Sequence, residues 1–318
     1  MLRRGFVAGT GAVLAAPAIV RANTWPNRQI KVVVPYPPGG PTDISTRIVM
    51  EKVSQLLGQP VLFDNRGGAS GMIGAAYAKT QPADGYNFLA TTVAMLAITR
   101  HLQAIPFDPD KDFLPVARMA TSWGCFTVHP SVPATTMAEF VAYAKANPGK
   151  INYGSSGNAT ITHLYCEMIN LAAGIKMTHI PYKGSAQATA DLVSGQVQAQ
   201  TDQTCLPHIL AGRLRGLAMI GDRRWPHKPD IPTLKETGYG AEGGESWYGM
   251  LAPAGTPPEI VDRLSQAIDQ AIRSADVLDR LDKGGGKPTY LNPADMRATI
   301  EKESAMFADI IKRGNVQL

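Results

Sequence analysis

Two kinds of hydrophobic pattern alternate along this chain. Short apolar runs, typical of buried strands, are followed by longer segments in which apolar residues recur every three or four positions, as on one face of a helix. The strands predicted in this way are 30–35, 60–64, 87–91, 125–129, 151–154, 177–180, 197–201, 214–220 and 248–252. The predicted helices are 43–57, 71–79, 137–147, 160–172, 186–194, 258–274 and 293–313.

This alternation predicts α/β architecture with mostly parallel sheets. No low-complexity linker and no fixed-period repeat divides the chain, so we expect two α/β lobes between which the chain crosses more than once. In such folds, ligands bind outside the carboxyl ends of the strands. Three glycine-rich loops occupy that position in the sequence, and they are the candidate binding segments.

The first 22 residues predict an export signal that is not part of the fold. The basic pair Arg3-Arg4 precedes the apolar run 6–20 and a small-residue cleavage site that ends at Ala22, which is the order found in secretory signals. The arginine pair fits twin-arginine export, and an ordinary secretory signal stays open as the alternative. No later segment reaches the ~18 apolar residues that a membrane span needs, so we expect a soluble, periplasmic chain.

The leader also changes the charge. Loss of Arg3, Arg4 and Arg21 lowers Lys+Arg from 31 to 28 and the formal charge from +5 to +2. No Lys/Arg cluster stands out, so a nucleic-acid partner is not expected. About 296 residues remain, which suits two domains of ordinary size.

Three cysteines are spread along the mature chain, at Cys125, Cys166 and Cys205, without a C-x-x-C spacing. In an oxidising compartment two of them could form a disulfide and leave the third free. The preferred interpretation is three buried, small apolar side chains.

The first candidate loop, residues 36–43, joins the first predicted strand to the first predicted helix. Gly39 and Gly40 allow the backbone to approach a ligand closely, and Thr42 and Asp43 can cap the helix. The first N–H groups of a helix have no internal partner, and the helix dipole favours negative charge there. The loop therefore predicts an anion site, with a plain capping turn as the alternative.

The second candidate loop, residues 65–74, has the same strand-to-helix position. It lacks the glycine spacing of a dinucleotide site and the Gly-Lys-Ser/Thr of a phosphate-binding loop. We therefore expect an anion-compatible nest and no cofactor. Arg66 either pairs with a ligand carboxylate or holds the loop through a structural ion pair.

The third candidate loop offers hydroxyl groups beside another helix start. Ser155, Ser156 and Thr160 can donate to a carboxylate together with free backbone N–H groups. A serine nucleophile at Ser156, as in a hydrolase, is disfavoured because Asn158 stands where the second Gly of G-x-S-x-G would fall. The sequence thus favours binding over catalysis at this loop.

Two further polar residues follow predicted strands. Tyr182 can stack on a ligand or donate its hydroxyl. Asp202 can accept from an amino or hydroxyl group of the ligand, or it can cap a local helix, and both roles stay open.

A metal site is a possible but disfavoured interpretation of the helix 160–172. His163, Cys166 and Glu167 share one face by spacing, which is compatible with metal ligation. No fourth ligand lies nearby in sequence, so we expect a helix face near the core and no metal.

A hydrolase that uses Ser156 or Cys166 is disfavoured too, because no base and orienting group can be assigned to either nucleophile.

The motifs together resemble one family. They are VPYPPGGPTD at 34–43, NRGG at 65–68, PADGY at 82–86, AKANPGKINYGSSG at 144–157, HL at 163–164, PYKG at 181–184, WYG at 247–249 and APAGTP at 252–257. In this order they resemble the Bug/TctC family, the solute-binding receptors of tripartite tricarboxylate transporters. The resemblance covers nearly the whole mature chain.

The resemblance implies a two-lobed periplasmic-binding-protein fold of type II, a Venus flytrap with a central cleft. It implies lobe 1 from 23–123 and 248–318, lobe 2 from 124–247, no catalysis, and delivery of a small carboxylate to membrane permease subunits. A sensor that presents its ligand to a signalling partner is the alternative, and we expect a monomer. The expected ligand-binding residues are Tyr36, Pro38, Gly39, Gly40, Thr42, Asp43, Ser70, Ser155, Ser156, Ala159, Thr160, Tyr182 and Asp202.

Two of these positions depart from the family pattern. Ser70 falls within the stretch that usually reads NRPGAGG, and Ala159 stands where the family usually has Gly. Both lie where ligand specificity is expected to be set. The sequence therefore leaves the identity of the carboxylate open.

Overall fold

The computed structural model describes residues 25–239 and 245–314, so the predicted leader lies outside the described residues. The strands are β1 (Ile30–Val34), β2 (Val61–Asn65), β3 (Asn87–Thr92), β4 (Phe113–Ser122), β5 (Cys125–Val128), β6 (Asn152–Ser155), β7 (Thr178–Pro181), β8 (Ala199–Thr201), β9 (Arg215–Met219), β10 (Trp247–Pro253) and β11 (Gly286–Leu291). The helices are α1 (Pro41–Leu57), α2 (Met72–Lys79), α3 (Met137–Ala146), α4 (Ile161–Ala173), α5 (Ser185–Val193), α6 (Leu206–Leu210), α7 (Pro258–Ile272), α8 (Ala275–Lys283) and α9 (Pro293–Gly314).

The strands form two sheets, and each sheet is the centre of one lobe. The six-stranded sheet has the order β11-β4-β10-β3-β1-β2 and takes strands from both ends of the chain. The five-stranded sheet has the order β7-β6-β8-β5-β9 and uses the middle of the chain. We call the first lobe 1 and the second lobe 2. The chain passes from lobe 1 to lobe 2 after β4 and returns with β10, so the predicted α/β, two-lobed fold is confirmed.

The prediction of mostly parallel sheets was wrong, because both sheets are mixed. Parallel pairs join β1 to β2 and β3, and β6 to β7 and β8. Antiparallel pairs join β10 to β3 and β4, β11 to β4, and β5 to β8 and β9. The antiparallel strands β4, β5 and β10 are those at which the chain changes lobe.

Two strands and two helices were not predicted. β4 is buried along most of its length, so it lacks the alternation of a half-exposed strand, and Pro115 within it argues against a sheet interior. β11 is an edge strand that contains Pro288, where a missing backbone donor is tolerated. The short helix α6 and the strongly charged helix α8 follow other elements closely, which obscured their boundaries.

The six-stranded sheet is covered on both faces. In β1, Val32 and Val34 pack in one apolar cluster with Val49 of α1, whereas Val33 packs in another with Met72 of α2. A strand buried on both sides reads as a continuous apolar run, which explains the pattern at 30–34. The helices are fixed against the sheet in this way, and their N-termini lie at the carboxyl ends of the strands.

The three cysteines are buried and free, which confirms their interpretation as core side chains and gives no support to a disulfide. Among the described residues, no helix is both long enough and apolar enough to cross a membrane.

Candidate functional site

A cavity of about 170 Å³ lies between the lobes, at the carboxyl ends of β1, β3, β6 and β8. Lobe 1 contributes Tyr36, Pro37, Pro38, Gly40, Pro41, Thr42, Thr92, Ala94, Ser122 and Tyr248 to its walls, and Ser246 lies where the chain returns to lobe 1. Lobe 2 contributes Ser156, Thr160, Ile161, Thr162, Tyr165, Gly184, Ser185, Ala186, Gln187, Thr201, Asp202 and Gln203, and Gly124 lies where the chain enters lobe 2.

Three helices start at the wall of this cavity. They are α1, α4 and α5, and their N-cap residues are Gly40, Thr160 and Gly184. None of these three residues forms a side-chain cap hydrogen bond, so the first-turn N–H groups remain available. Together with the positive end of each helix dipole, these groups make the cavity favourable for an anion.

Hydroxyl groups are concentrated at the start of α4. Ser156 Oγ lies 3.0 Å from Thr162 Oγ1, and Thr160 Oγ1 also lies 3.0 Å from Thr162 Oγ1. The N–H of Ser156 donates to Thr162 Oγ1 at 3.0 Å. A cluster of hydroxyls can donate or accept according to how each hydrogen rotates, so it can adapt to a carboxylate or to bridging water.

The cavity wall contains no lysine, arginine or histidine among the described residues. Its ionisable members are Asp202 and the tyrosines Tyr36, Tyr165 and Tyr248. Burial raises the pKa of Tyr36 to about 12 and holds the pKa of Tyr165 well above its usual range. These phenols therefore stay neutral. The hydroxyls of Tyr36 and Tyr248 donate to the Ser70 carbonyl and to Gln203 Oε1, so the helix N-termini and the hydroxyls of serine and threonine provide the positive potential in the cavity.

Asp202 lines the cavity and also caps a short helix. Its Oδ1 accepts from the N–H and the hydroxyl of Thr204, both at 2.9 Å, and its Oδ2 accepts from Ser185 Oγ at 2.6 Å. Burial raises the pKa of this carboxyl, while the three hydrogen bonds favour its ionised form. The capping role left open by the sequence is therefore observed, and the carboxyl also fixes Ser185 at the start of α5.

The structure places seven of the thirteen expected ligand-binding residues in the cavity wall. They are Tyr36, Pro38, Gly40, Thr42, Ser156, Thr160 and Asp202. They come from both lobes, and the loops before α1 and α4 meet as the sequence predicted.

Gly39 and Asp43 lie outside the cavity wall. Asp43 Oδ2 accepts from the N–H of Gly39 at 3.0 Å, and Asp43 Oδ1 accepts from Arg47 Nε and Asn65 Nδ2, each at 2.9 Å. The buried carboxylate thus ties the first candidate loop to the second. Arg66 pairs with Asp64 at 2.9 Å, which is the structural ion pair that the sequence left open.

Ser155 and Tyr182 also lie outside the cavity wall. Ser155 Oγ lies 2.6 Å from His179 Nε2. Tyr182 donates its hydroxyl to Asp191 Oδ2 at 2.6 Å. Both side chains therefore hold the neighbouring strands and helices in lobe 2.

Ser70 and Ala159 both lie at the contact between the lobes, and neither lines the cavity. Ser70 Oγ donates to the carbonyl of Asn158 at 2.6 Å. Ala159 accepts at its carbonyl from Thr99 Oγ1 at 3.3 Å. The two departures from the family pattern are thus neighbours in space.

Sequence reasoning did not assign several wall residues. Tyr248 lies in the motif at 247–249, which contributed to the family resemblance but was given no role in binding. Ser185 follows the turn at Tyr182 and was not named as a binding residue. Ser122, Thr92 and Ser246 carried no local signal, because only the pairing of β4, β3 and β10 brings their ends together.

The residues weighed for catalysis or metal binding have other partners. Burial raises the pKa of the Cys166 thiol to about 12, and its Sγ lies 3.2 Å from Thr201 Oγ1. Glu167 accepts from the Tyr153 hydroxyl at 2.5 Å, and His163 stacks on His179 with ring centroids 4.0 Å apart. Within the described part of the chain no group of three potential ligands is arranged around a metal site.

This chain is similar to known proteins over most of its length. The family model for the tripartite tricarboxylate transporter family receptor matches residues 45–316. A UPF0065 protein encoded in the gbd 5' region of Cupriavidus necator is 36% identical over 96% of this chain and 95% of its own length. Protein BugT of Bordetella pertussis is 33% identical over 98% of this chain and 96% of its own length.

Solved structures with the same fold include carboxylate complexes. A periplasmic transporter is similar with a TM-score of 0.89 and 37% identity, over 92% of this chain and 99% of that protein. The R. palustris protein Rpa4515 with adipate has a TM-score of 0.88 and 35% identity, over the same shares of the two chains. MatC from Rhodopseudomonas palustris with bound malate has a TM-score of 0.83 and 27% identity, over 90% of this chain and all of that one.

Proposed function

Because this chain belongs to the tripartite tricarboxylate transporter receptor family, we propose that it captures a small carboxylate in the cavity between its lobes and delivers it to the membrane permease subunits of such a transporter. The observation that carries the proposal is the convergence of three helix N-termini, those of α1, α4 and α5, on one cavity. Family membership supplies the transport context.

A carboxylate that leaves water for this cavity loses its hydration and must find equivalent donors. Lobe 1 offers the start of α1, with Thr42, and lobe 2 offers the backbone N–H groups at the start of α4, with the hydroxyl of Ser156. Donors from both lobes are needed to surround a carboxylate, so binding favours the arrangement in which the lobes are together. Adipate and malate in similar proteins support an acid of this size as the ligand.

The proposed receptor releases its ligand unchanged. A nucleophilic enzyme needs a nucleophile next to a base, and Ser156 has Thr162 as its partner while Cys166 has Thr201. These neutral hydroxyls cannot serve as a base near neutral pH. Ser155 does lie beside His179, but Ser155 is fully buried and outside the cavity wall, which supports binding without chemistry.

The proposal includes an exported, monomeric protein. Residues 1–22 would direct it to the periplasm, residues 23–123 and 248–318 would form lobe 1, and residues 124–247 would form lobe 2. The sheet order supports this division, since β10 returns the chain to the sheet of β1 to β4. In the periplasm the receptor would meet both the imported acid and the permease.

A thermal-shift screen of the mature protein tests the proposed function. The panel contains adipate, malate, citrate, aromatic acids and acidic amino acids, and each acid has a neutral control such as adipamide for adipate. A bound acid stabilises the folded state by ~2.7 kcal/mol at a hundredfold excess over Kd. We expect at least one acid to raise the melting temperature while its amide does not. No shift with any carboxylate, or an equal shift with the amides, would contradict the proposal.

A further inference from the structure

The turn that precedes α4 is completed by the opposite lobe. In this turn the carbonyl of Gly157 accepts from Ser155 Oγ at 3.1 Å and from Thr160 Oγ1 at 2.7 Å, both within lobe 2. The next carbonyl, that of Asn158, accepts from Ser70 Oγ of lobe 1 at 2.6 Å. A carbonyl of lobe 2 is thus satisfied across the cleft.

A second contact supports the same turn. Thr99 of lobe 1 directs its hydroxyl to the carbonyl of Ala159 at 3.3 Å and to that of Ala94 at 2.9 Å. A hydroxyl has one hydrogen, so Thr99 shares it between the lobes, and the stronger cross-lobe hydrogen bond is that of Ser70.

The backbone at this contact is in an unusual conformation on both sides. Ser70 has φ 55 and ψ 34, and Ala159 has φ 57. The left-handed region is unfavourable for residues other than glycine, and such strain concentrates where a structure has a functional reason to hold it. Gly157 leaves room for the contact, because a Cβ at that position would lie 2.8 Å from Ser70 Oγ.

The contact between Ser70 and Asn158 lies outside the cavity wall, but both residues are connected to residues that line the cavity. The carbonyl of Ser70 accepts from the Tyr36 hydroxyl at 3.2 Å, and Tyr36 lines the cavity. On the other side Ala159 immediately precedes Thr160, the N-cap residue of α4. Any movement that separates Ser70 from Asn158 therefore moves wall residues on both sides.

We infer that Ser70 is a positioning residue that latches lobe 1 to the turn before α4 and thereby raises the fraction of molecules in which the lobes are together. The inference rests on the proposed function, because holding the lobes together slows the release of a bound acid that Ser70 itself does not touch. It also assigns Ser70 a role different from direct ligand contact.

The test measures how often the lobes meet in protein without any acid. The parent carries Pro37→Cys and Gly184→Cys, because an ideal Cβ at residue 184 lies 3.3 Å from Pro37 Cδ and 3.5 Å from its Cγ across the cleft. Oxidised glutathione forms a mixed disulfide with one engineered thiol in either arrangement, with release of one reduced glutathione. The second thiol displaces the bound glutathione only when the lobes are together, so the rate of this second step, the cross-linking rate, reports that fraction. The native thiols Cys125, Cys166 and Cys205 are buried and do not compete.

Ser70→Ala and Ser70→Gly are each added to this parent. One hydrogen bond of ordinary strength corresponds to about a twofold to tenfold change in an equilibrium constant, and we expect both variants to slow cross-linking by that factor. Ser194→Ala is the matched control, because Ser194 Oγ donates to the carbonyl of Asp191 at 3.2 Å within lobe 2, and it keeps the parent rate. If the two Ser70 variants cross-link at the parent rate, the latch is wrong.

A stability readout separates latching from a purely local role. Glycine tolerates the left-handed conformation at position 70, so Ser70→Gly has a higher melting temperature than Ser70→Ala while sharing its slower cross-linking. If Ser70 only shaped its own turn, the two variants would differ in melting temperature and leave the cross-linking rate unchanged.

A second experiment, which depends on the proposed function, measures the rate at which adipate dissociates. In protein without the engineered cysteines, both Ser70 variants are expected to release adipate about twofold to tenfold faster, with little change in the association rate. If adipate binds neither the unsubstituted protein nor the Ser70 variants, adipate is not a ligand, while the cross-linking rates still decide the latch. If adipate binds and its release is unchanged in both variants, the latch is overturned as a determinant of capture.

Discussion

Ser156 is the residue at which the proposed site is most directly tested. Its side chain lines the cavity and forms a hydroxyl cluster with Thr160 and Thr162 at the start of α4. Since the cavity wall has no basic side chain among the described residues, neutral donors carry a larger share of the binding energy than they would beside an arginine.

Replacement of Ser156 by alanine should weaken the binding of a verified acid about tenfold to a hundredfold, because a hydrogen bond to a charged group contributes roughly 1.5–3 kcal/mol. Isothermal titration calorimetry measures the change, and the melting temperature of the ligand-free variant checks that the fold is intact. Ser131→Ala is a suitable control, since Ser131 is exposed and its Oγ contacts His129 Nδ1 at 2.8 Å away from the cavity wall. Unchanged affinity in Ser156→Ala would remove this hydroxyl from the site.

At the scale of elements, β6, β7 and α4 are held together by a stack of three rings. Tyr153 of β6 lies 4.9 Å from His179 of β7, and His179 lies 4.0 Å from His163 of α4, measured between ring centroids. His163 Nδ1 accepts from the N–H of Ala159 at 3.3 Å, so the stack supports the turn that precedes α4. Burial, and then the neighbouring His163, lower the pKa of His179 to about 3.

This depressed pKa predicts a loss of stability in acid. Unfolded protein binds a proton at His179 below pH 6.5, whereas the folded protein resists protonation down to about pH 3. The free energy of unfolding therefore falls as the pH falls from about 6.5 towards 3. Burial also lowers the pKa of His163, which acts in the same direction.

Urea denaturation at a series of pH values checks this prediction. His179→Gln cannot gain the proton, so its free energy of unfolding should decline less between pH 7 and pH 4.5 than that of the unsubstituted protein. His129→Gln, at a partly buried histidine outside the stack, serves as the control. If the free energy of unfolding depends on pH in the same way in the unsubstituted protein and in His179→Gln, the role assigned to the stack is contradicted.

At the scale of the whole molecule, the cavity belongs to neither lobe alone. Lobe 1 supplies the start of α1 and lobe 2 supplies the starts of α4 and α5. On the side of β10, Gln203 of lobe 2 accepts from the Tyr248 hydroxyl at 2.8 Å and donates to the carbonyl of Gly284 at 2.9 Å. A ligand that bridges the lobes therefore shifts the population towards molecules in which they are together.

Small-angle scattering should detect this shift. The radius of gyration is expected to decrease when a verified acid saturates the protein and to stay constant with the matching amide. Recovery of the acid after the experiment, analysed by mass spectrometry, should return it chemically unchanged. An equal radius with and without the acid, or a modified acid, would be incompatible with a closing receptor.

The sequence by itself determined the local parts of this protein. The strand at 30–34 and the strand-to-helix turns before α1 and α4 follow from short-range patterns, because capping, glycine turns and apolar periodicity act between residues close in the chain. Seven expected binding residues line the cavity, since most of them lie in these two turns.

Only the tertiary structure decided which neighbouring side chains face the cavity and which hold its loops. Asp43 and Tyr182 carry the chemistry of binding residues, yet they bind Arg47 and Asp191 instead. Ser122 and Thr92 reach the cavity through the pairing of β4 and β3 with β10, and Ser70 meets Asn158 across 88 positions. Such contacts depend on strand order and on the approach of two lobes, and no interaction between near neighbours in the chain specifies either.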